Sequence, residues 1–213
     1  MNRNVYDQIN QMLPENCQLL IVSKFRSKEQ ILDYYKIGHQ AFAENRVQEL
    51  CEKQQKLPKD IKWHFIGHLQ KNKAKYIVPF IEMIHSVENL QLVQILEKEA
   101  AKCNRQLPIL IQLNLAKEET KSGITKEEAD SFIEACNQYP HILVKGIMCM
   151  GPHCDDPERI REVFHEAKLL LSTLQNKYPS MTECSMGMSQ DYPIAIKEGS
   201  TMLRIGSALF NEE

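Results

Sequence analysis

No run among the 213 residues comes near the roughly 20 consecutive apolar residues needed to cross a bilayer. The opening MNRNVYDQINQML has no continuous hydrophobic stretch either, so it does not read as a secretion signal. Strong charge of one sign is also missing. A formal net charge of -2 supplies no general attraction to nucleic acid or to anionic lipid, and neither is expected as a partner. There is no C-x-x-C pair. The seven cysteines (17, 51, 103, 136, 149, 154 and 184) are odd in number and scattered, as idle or buried thiols are in a reducing cytoplasm. Repeats, low-complexity tracts and linkers are absent, which leaves one domain over residues 1–213 as the expectation.

What remains is a regular alternation. Val5, Ile9 and Met12 recur at helical spacing until Pro14, and the apolar run LLIV (19–22) follows as a buried strand. Ser27 is placed to cap a helix over SKEQILDYYKIG, with Gly38 as its stop. Strand patterns then recur in QAFAEN (40–45), IKWHFIG (61–67), IEMIHSV (81–87), LPILIQLNL (107–115), ILVKGIMCM (142–150), TECSM (182–186) and MLRIGSALF (202–210). Helical patterns separate them, among them one that Thr125 caps with Glu127 and Glu128 in its first turn. Continuous apolar strands alternating with helices predict a parallel sheet covered by helices. About eight such units predict an α/β fold, a single (β/α)8 TIM-type barrel with no second domain. The pattern supplies no helix after the eighth strand, and the extra N-terminal helix is expected to cover that gap.

A barrel of this kind collects its chemistry at the C-terminal ends of the strands. Lys24 follows the first strand, and alternation places it on the side of Leu20 and Val22, facing inward. Arg204 faces inward from the eighth strand if Leu203 and Ile205 face the helices. Strands one and eight are neighbours in a closed barrel, so the two cations are expected to share one cavity mouth. Burial beside a second cation favours the neutral amine, the form that attacks an aldehyde or ketone. A lysine at a strand end is also a common solvated group, and needs a second feature beside it. Gly206 and Ser207 supply one, because backbone N–H groups at the start of a short helical turn after the last strand, together with hydroxyls, can cradle a phosphate. A capturing amine next to a phosphate seat suggests pyridoxal 5′-phosphate, with Arg204 at its ring nitrogen.

The segments VSK (22–24), AENRVQE (43–49), WHFIGHLQKNK (63–73), KSGI (121–124), KGIMCM (145–150), SMGMSQD (185–191) and GSTMLRIGSALF (199–210) together resemble the YggS family of pyridoxal phosphate homeostasis proteins, whose domain is similar to the barrel of alanine racemases. The resemblance spans nearly the whole chain. It implies that Lys24 holds the cofactor as a lysine aldimine and that Arg204 meets the pyridine nitrogen. It also implies that Ser189, Gly206 and Ser207 bind the phosphate and that Asn45 lies near the cofactor. Ala43, where the family more often has glycine, Gln190, Asn211 and the sequence KFRS after the strand depart from its pattern.

An arginine at the ring nitrogen opposes its protonation and weakens the cofactor as an electron sink. In racemases of this resemblance a second domain adds an acid–base group that this chain is expected to lack. The expectation is therefore a cytoplasmic monomer that buffers or delivers pyridoxal phosphate to apo-enzymes without substantial turnover. Two alternatives stand beside it: a small racemase or lyase acting through the same aldimine, and a cofactor-free aldolase built on Lys24. His64 and His68, four apart, and the set Cys149, His153 and Cys154 fall short of a four-ligand metal site, and no metal is expected.

Overall fold

The computed structural model describes residues 1–116 and 122–210. Eight strands close into a parallel barrel in chain order: β1 (Gln18–Val22), β2 (Ala41–Glu44), β3 (Lys62–Phe65), β4 (Met83–Val87), β5 (Leu107–Leu113), β6 (Ile142–Cys149), β7 (Glu183–Ser185) and β8 (Met202–Ile205). The helices are α1 (Arg3–Met12), α2 (Lys28–Tyr35), α3 (Val47–Lys56), α4 (Ala74–Ile77), α5 (Leu90–Lys102), α6 (Lys126–Cys136), α7 (Pro157–Lys177), α8 (Tyr192–Lys197) and α9 (Ser207–Phe210). The alternation read from the sequence is therefore that of a TIM-type (β/α)8 barrel.

Side chains separate by parity along the strands, except where register shifts in β4 and β6 put Ile84 and Val87, and Val144 and Ile147, on the same face. Leu19, Ile21, Phe42, Trp63 and Phe65 join the core between barrel and helices, whereas Leu20, Val22, Ala41, Ala43, Met83, Leu110, Met148 and Met202 fill the interior. Burying each of the larger side chains contributes roughly 2–3 kcal/mol. Arg204 is registered against Leu20 across the β1–β8 seam, so it faces inward as the alternation requires.

Both helix starts foreseen from hydroxyl residues are capping boxes, Ser27 with Gln30 and Thr125 with Glu128. Two expectations are corrected at the closing strand. β8 stops at Ile205, and Ser207–Phe210 is a helical turn rather than more strand. A short helix thus does follow the last strand. Helix α1 is bonded to it, Asn2 N donating to Leu209 O at 2.8 Å, and Tyr34 Oη donates to the same carbonyl at 2.5 Å. The short helical turn expected for an anion at Gly206–Ser207 is therefore present, whereas run-length patterning carried the strand on to Phe210 because Ala208, Leu209 and Phe210 are apolar in either conformation. Lys121 and Asn211 lie outside the described residues.

Candidate ligand pocket at the closing seam

A cavity of about 300 Å3 opens where β1 meets β8 at the C-terminal face of the barrel. Lys24, Ser189, Arg204, Gly206 and Ser207 all line it, together with Val22, Ile66, Met188 and Gln190. Five of the six residues expected at the site are thus brought together. Asn45 is not among the walls. It sits one residue past β2, its Oδ1 buried without a hydrogen-bond partner, and its backbone presses on Gly67 so closely that a Cβ there would lie 2.1 Å from Asn45 O. A wider surface groove of about 470 Å3 lies beyond Phe25, but its cations (Arg26, Lys28, Lys53 and Lys56) are interspersed with Glu29, Glu49 and Glu52, and Lys53 is already paired with Glu44 and Glu49. That mixture offers no convergent charge.

Arg204 is 4% exposed, which fixes the guanidinium as a wall of the cavity rather than a solvated group. Its Nη1 donates to Ser185 Oγ at 2.6 Å and its Nη2 to the carbonyl of Cys149 at 2.9 Å. Burial lowers its pKa from the ordinary arginine value, but guanidinium basicity leaves it charged. Behind it runs a polar chain through the barrel interior. Ser185 Oγ is 3.0 Å from His85 Nδ1, and His85 Nε2 is 2.9 Å from His64 Nδ1. Burial holds both imidazoles neutral, His64 with its pKa lowered to about 3 and His85 well below the ordinary value, where His64 and Arg204 add to the effect.

On the opposite side Ser189 Oγ accepts hydrogen bonds from Gly206 N at 3.3 Å and Ala208 N at 3.4 Å. Both are longer than the usual 2.9–3.0 Å or so, so these N–H groups are held loosely and can turn to a better acceptor. Gly206 is packed tightly, since a Cβ there would lie 3.3 Å from Val22. A side chain there would crowd Val22, which also lines the cavity. One correction concerns Lys24, which is exposed at the mouth rather than buried. The chain leaves the barrel immediately after Val22, and residue 24 already stands on the rim.

The histidines four apart do not converge. His64 belongs to the interior chain, while His68 is exposed, its Nδ1 3.6 Å from a Glu88 carboxylate oxygen. Sequence reasoning gave no role to Ser185, His85, Glu44 or Lys53. Ser185 lay inside a recognised segment, and Lys53 stands four residues after Glu49, a spacing that pairs charges on a helix. Inward orientation was the signal that could have found His85. As a whole, an amine, a guanidinium and a cluster of N–H and hydroxyl donors suit a small anion that also offers the guanidinium an acceptor.

Three comparisons bear on that chemistry. The family model described as alanine racemase, N-terminal domain matches residues 2–213. A protein of Aquifex aeolicus named pyridoxal phosphate homeostasis protein is 39% identical over 201 residues, covering 93% of this chain and 88% of its own. PipY of Synechococcus elongatus, solved without PLP, superposes with a TM-score of 0.93 at 32% identity, covering 99% of this chain and all of that one. Its structure with PLP bound superposes with a TM-score of 0.90 at 31% identity over the same shares. The chain belongs to the alanine racemase N-terminal domain family and, within it, to the pyridoxal phosphate homeostasis proteins.

Proposed function

We propose that the seam pocket binds pyridoxal 5′-phosphate reversibly, and that the protein buffers or delivers this cofactor without substantial turnover. The observation that carries the reading is the convergence of Lys24, Arg204 and the Ser189–Gly206–Ser207 donors on one 300 Å3 cavity. Each meets one end of the cofactor: the amine its aldehyde, the guanidinium its ring nitrogen, the donors its phosphate. A cavity of that size lies at the small end of ligand pockets, which suits a single-ring ligand. PipY, which has been solved with PLP bound, supports the assignment by likeness.

Bound pyridoxal phosphate supplies an electrophilic aldehyde and a ring able to withdraw electrons. Lys24 Nζ holds that aldehyde covalently, as a lysine aldimine, and Arg204 keeps a permanent positive charge at the ring nitrogen. A proton added there would face that charge, so the ring stays a weak electron sink. Holding without reacting suits a cytoplasmic monomer whose partners are the cofactor and the apo-enzymes that need it. Among the described residues no helix is long and apolar enough to cross a membrane.

The test is an absorbance spectrum of the protein with added pyridoxal phosphate, before and after hydroxylamine, beside Lys24→Ala. A visible band that hydroxylamine discharges and that Lys24→Ala lacks is expected. A normal band in the variant overturns the assignment of Lys24. Inversion or cleavage of D- or L-amino acids at enzymatic rates overturns the absence of turnover and favours a small racemase or lyase.

A further inference from the structure

The two residues that flank Lys24 are tied to one buried charge cluster. Of the four buried charged side chains among the described residues, Glu44, Lys53, Asp191 and Arg204, two belong to it. Lys53, on α3, is 6% exposed, and its ammonium donates to three acceptors: Ser23 O at 2.7 Å, Glu44 Oε1 at 2.7 Å and Glu49 Oε1 at 2.6 Å. An ammonium has three protons, so it is saturated. Ser23 Oγ donates to the same Glu44 oxygen at 2.7 Å, and Phe25 N donates to the same Glu49 oxygen at 2.7 Å. The carbonyl and hydroxyl before Lys24 and the N–H after it thus end on Lys53 or its two carboxylates.

The turn they hold is not one the chain would choose. Phe25 has φ +62°, in the left-handed region that side-chain-bearing residues rarely adopt. Such a conformation is costly and persists only where its surroundings over-determine it. Burying an ammonium between carboxylates is itself costly in desolvation, and apolar packing would do as well for stability alone. The expense is concentrated on the three-residue stretch that presents the pocket's amine.

We propose that Lys53, with Glu44 and Glu49, is a positioning group that fixes the 23–25 backbone so that Lys24 is presented to the ligand's aldehyde. This rests on the reading of Lys24 given above. Capture forms a C=N bond between Lys24 Nζ and the aldehyde carbon and releases the aldehyde oxygen as water, so no further reactant is needed. The clamp acts on that step and not on the proposed phosphate seat, which is built from Ser189, before α8, and from Gly206 and Ser207, after β8.

Two ligands separate the roles. Pyridoxal 5′-phosphate reports capture, followed by its absorbance and by borohydride reduction and peptide mass analysis; pyridoxamine 5′-phosphate has the ring and phosphate but no aldehyde, and reports the seat alone. Lys53→Met and Glu49→Ala are each expected to slow capture by about tenfold or more while pyridoxamine phosphate affinity stays within about twofold. Glu49→Gln keeps an acceptor for Phe25 N and is expected to restore most of the rate. Glu49 lies near the surface, so its two variants decide the matter even if Lys53→Met fails to fold. Capture at the wild-type rate in Glu49→Ala, or equal losses for both ligands, overturns the clamp. A wild-type adduct that maps away from Lys24 overturns the underlying reading as well.

Discussion

Ser185 Oγ receives a hydrogen bond from Arg204 Nη1 at 2.6 Å, so the one buried arginine among the described residues is aimed by a neighbour on the adjacent strand. The hydroxyl is itself held by His85 at 3.0 Å, and His85 by His64. Four strands contribute to one line of polar groups whose far end is a pocket wall. Ser185→Ala removes the middle link and leaves a buried donor of Arg204 short of a partner. The expected cost is about 1–3 kcal/mol in urea unfolding. Pyridoxal phosphate affinity is expected to fall with it, because the guanidinium loses one of its two anchors. Unchanged stability and affinity would show that the serine does not hold the arginine.

The same chain sets a pH dependence. In the native protein His64 and His85 resist protonation, whereas in the unfolded chain they titrate near 6.5, the ordinary value. Below about pH 6.5 the unfolded state therefore binds more protons than the native one, and stability falls as pH falls. The slope approaches about 1.4 kcal/mol per pH unit for each histidine. His39, lowered by burial, adds to the trend. Glu44 works against it at more acid pH, since burial raises its pKa and the native state then takes up the proton first. Between pH 7 and 5.5 a loss of about 2 kcal/mol is expected, read from urea midpoints. In His64→Leu the loss should shrink by about half. A flat profile over that interval would mean that the imidazoles are not held neutral.

Gly67 carries a stricter demand. A Cβ at this position would lie 2.1 Å from the Asn45 carbonyl and 2.8 Å from Asn45 Cα, and backbone cannot rotate out of the way. Gly67→Ala must separate β2 from the segment after β3, at a cost of about 2–3 kcal/mol. The glycine is needed for close approach rather than for its backbone angles. A melting temperature equal to wild type would refute the contact.

The legible part of this chain was the part written in periodicity. Leu19 and Ile21 against Leu20 and Val22 gave the two faces of β1, and Leu203 and Ile205 gave the inward direction of Arg204. Ser27 and Thr125 announced their helices because a cap needs one residue type at one place. Where two conformations bury the same residues, as at Ala208–Leu209–Phe210, the pattern said nothing. The pocket's five gathered residues were legible from strand ends and from the family likeness. Lys53 was not, because a helical lysine four residues after a glutamate reads as a solvated pair. Only its depth, and the carbonyl of Ser23 at 2.7 Å, set it apart.

The proposed phosphate seat gives the sharpest test of what the turn after β8 is for. Ser189 Oγ takes two loose hydrogen bonds, from Gly206 N and Ala208 N, at 3.3 and 3.4 Å. A phosphate oxygen is a stronger acceptor than a hydroxyl, so it draws those N–H groups and leaves the serine free to donate to it. Ser189→Ala keeps both N–H donors and loses only the hydroxyl, a change of about 1 kcal/mol, or roughly fivefold in affinity. Ser189→Asp is different in kind. Its carboxylate can accept from the same two N–H groups, which keeps the turn folded, and it sets a negative charge where the phosphate must sit. Pyridoxal phosphate affinity is expected to fall by about a hundredfold, while pyridoxal, which lacks the phosphate, binds within about twofold of wild type. Thermal stability should hold or rise, since a charged acceptor replaces a neutral one. If pyridoxal and pyridoxal phosphate weaken together, the carboxylate has damaged the pocket at large, and the turn after β8 is not where the phosphate binds.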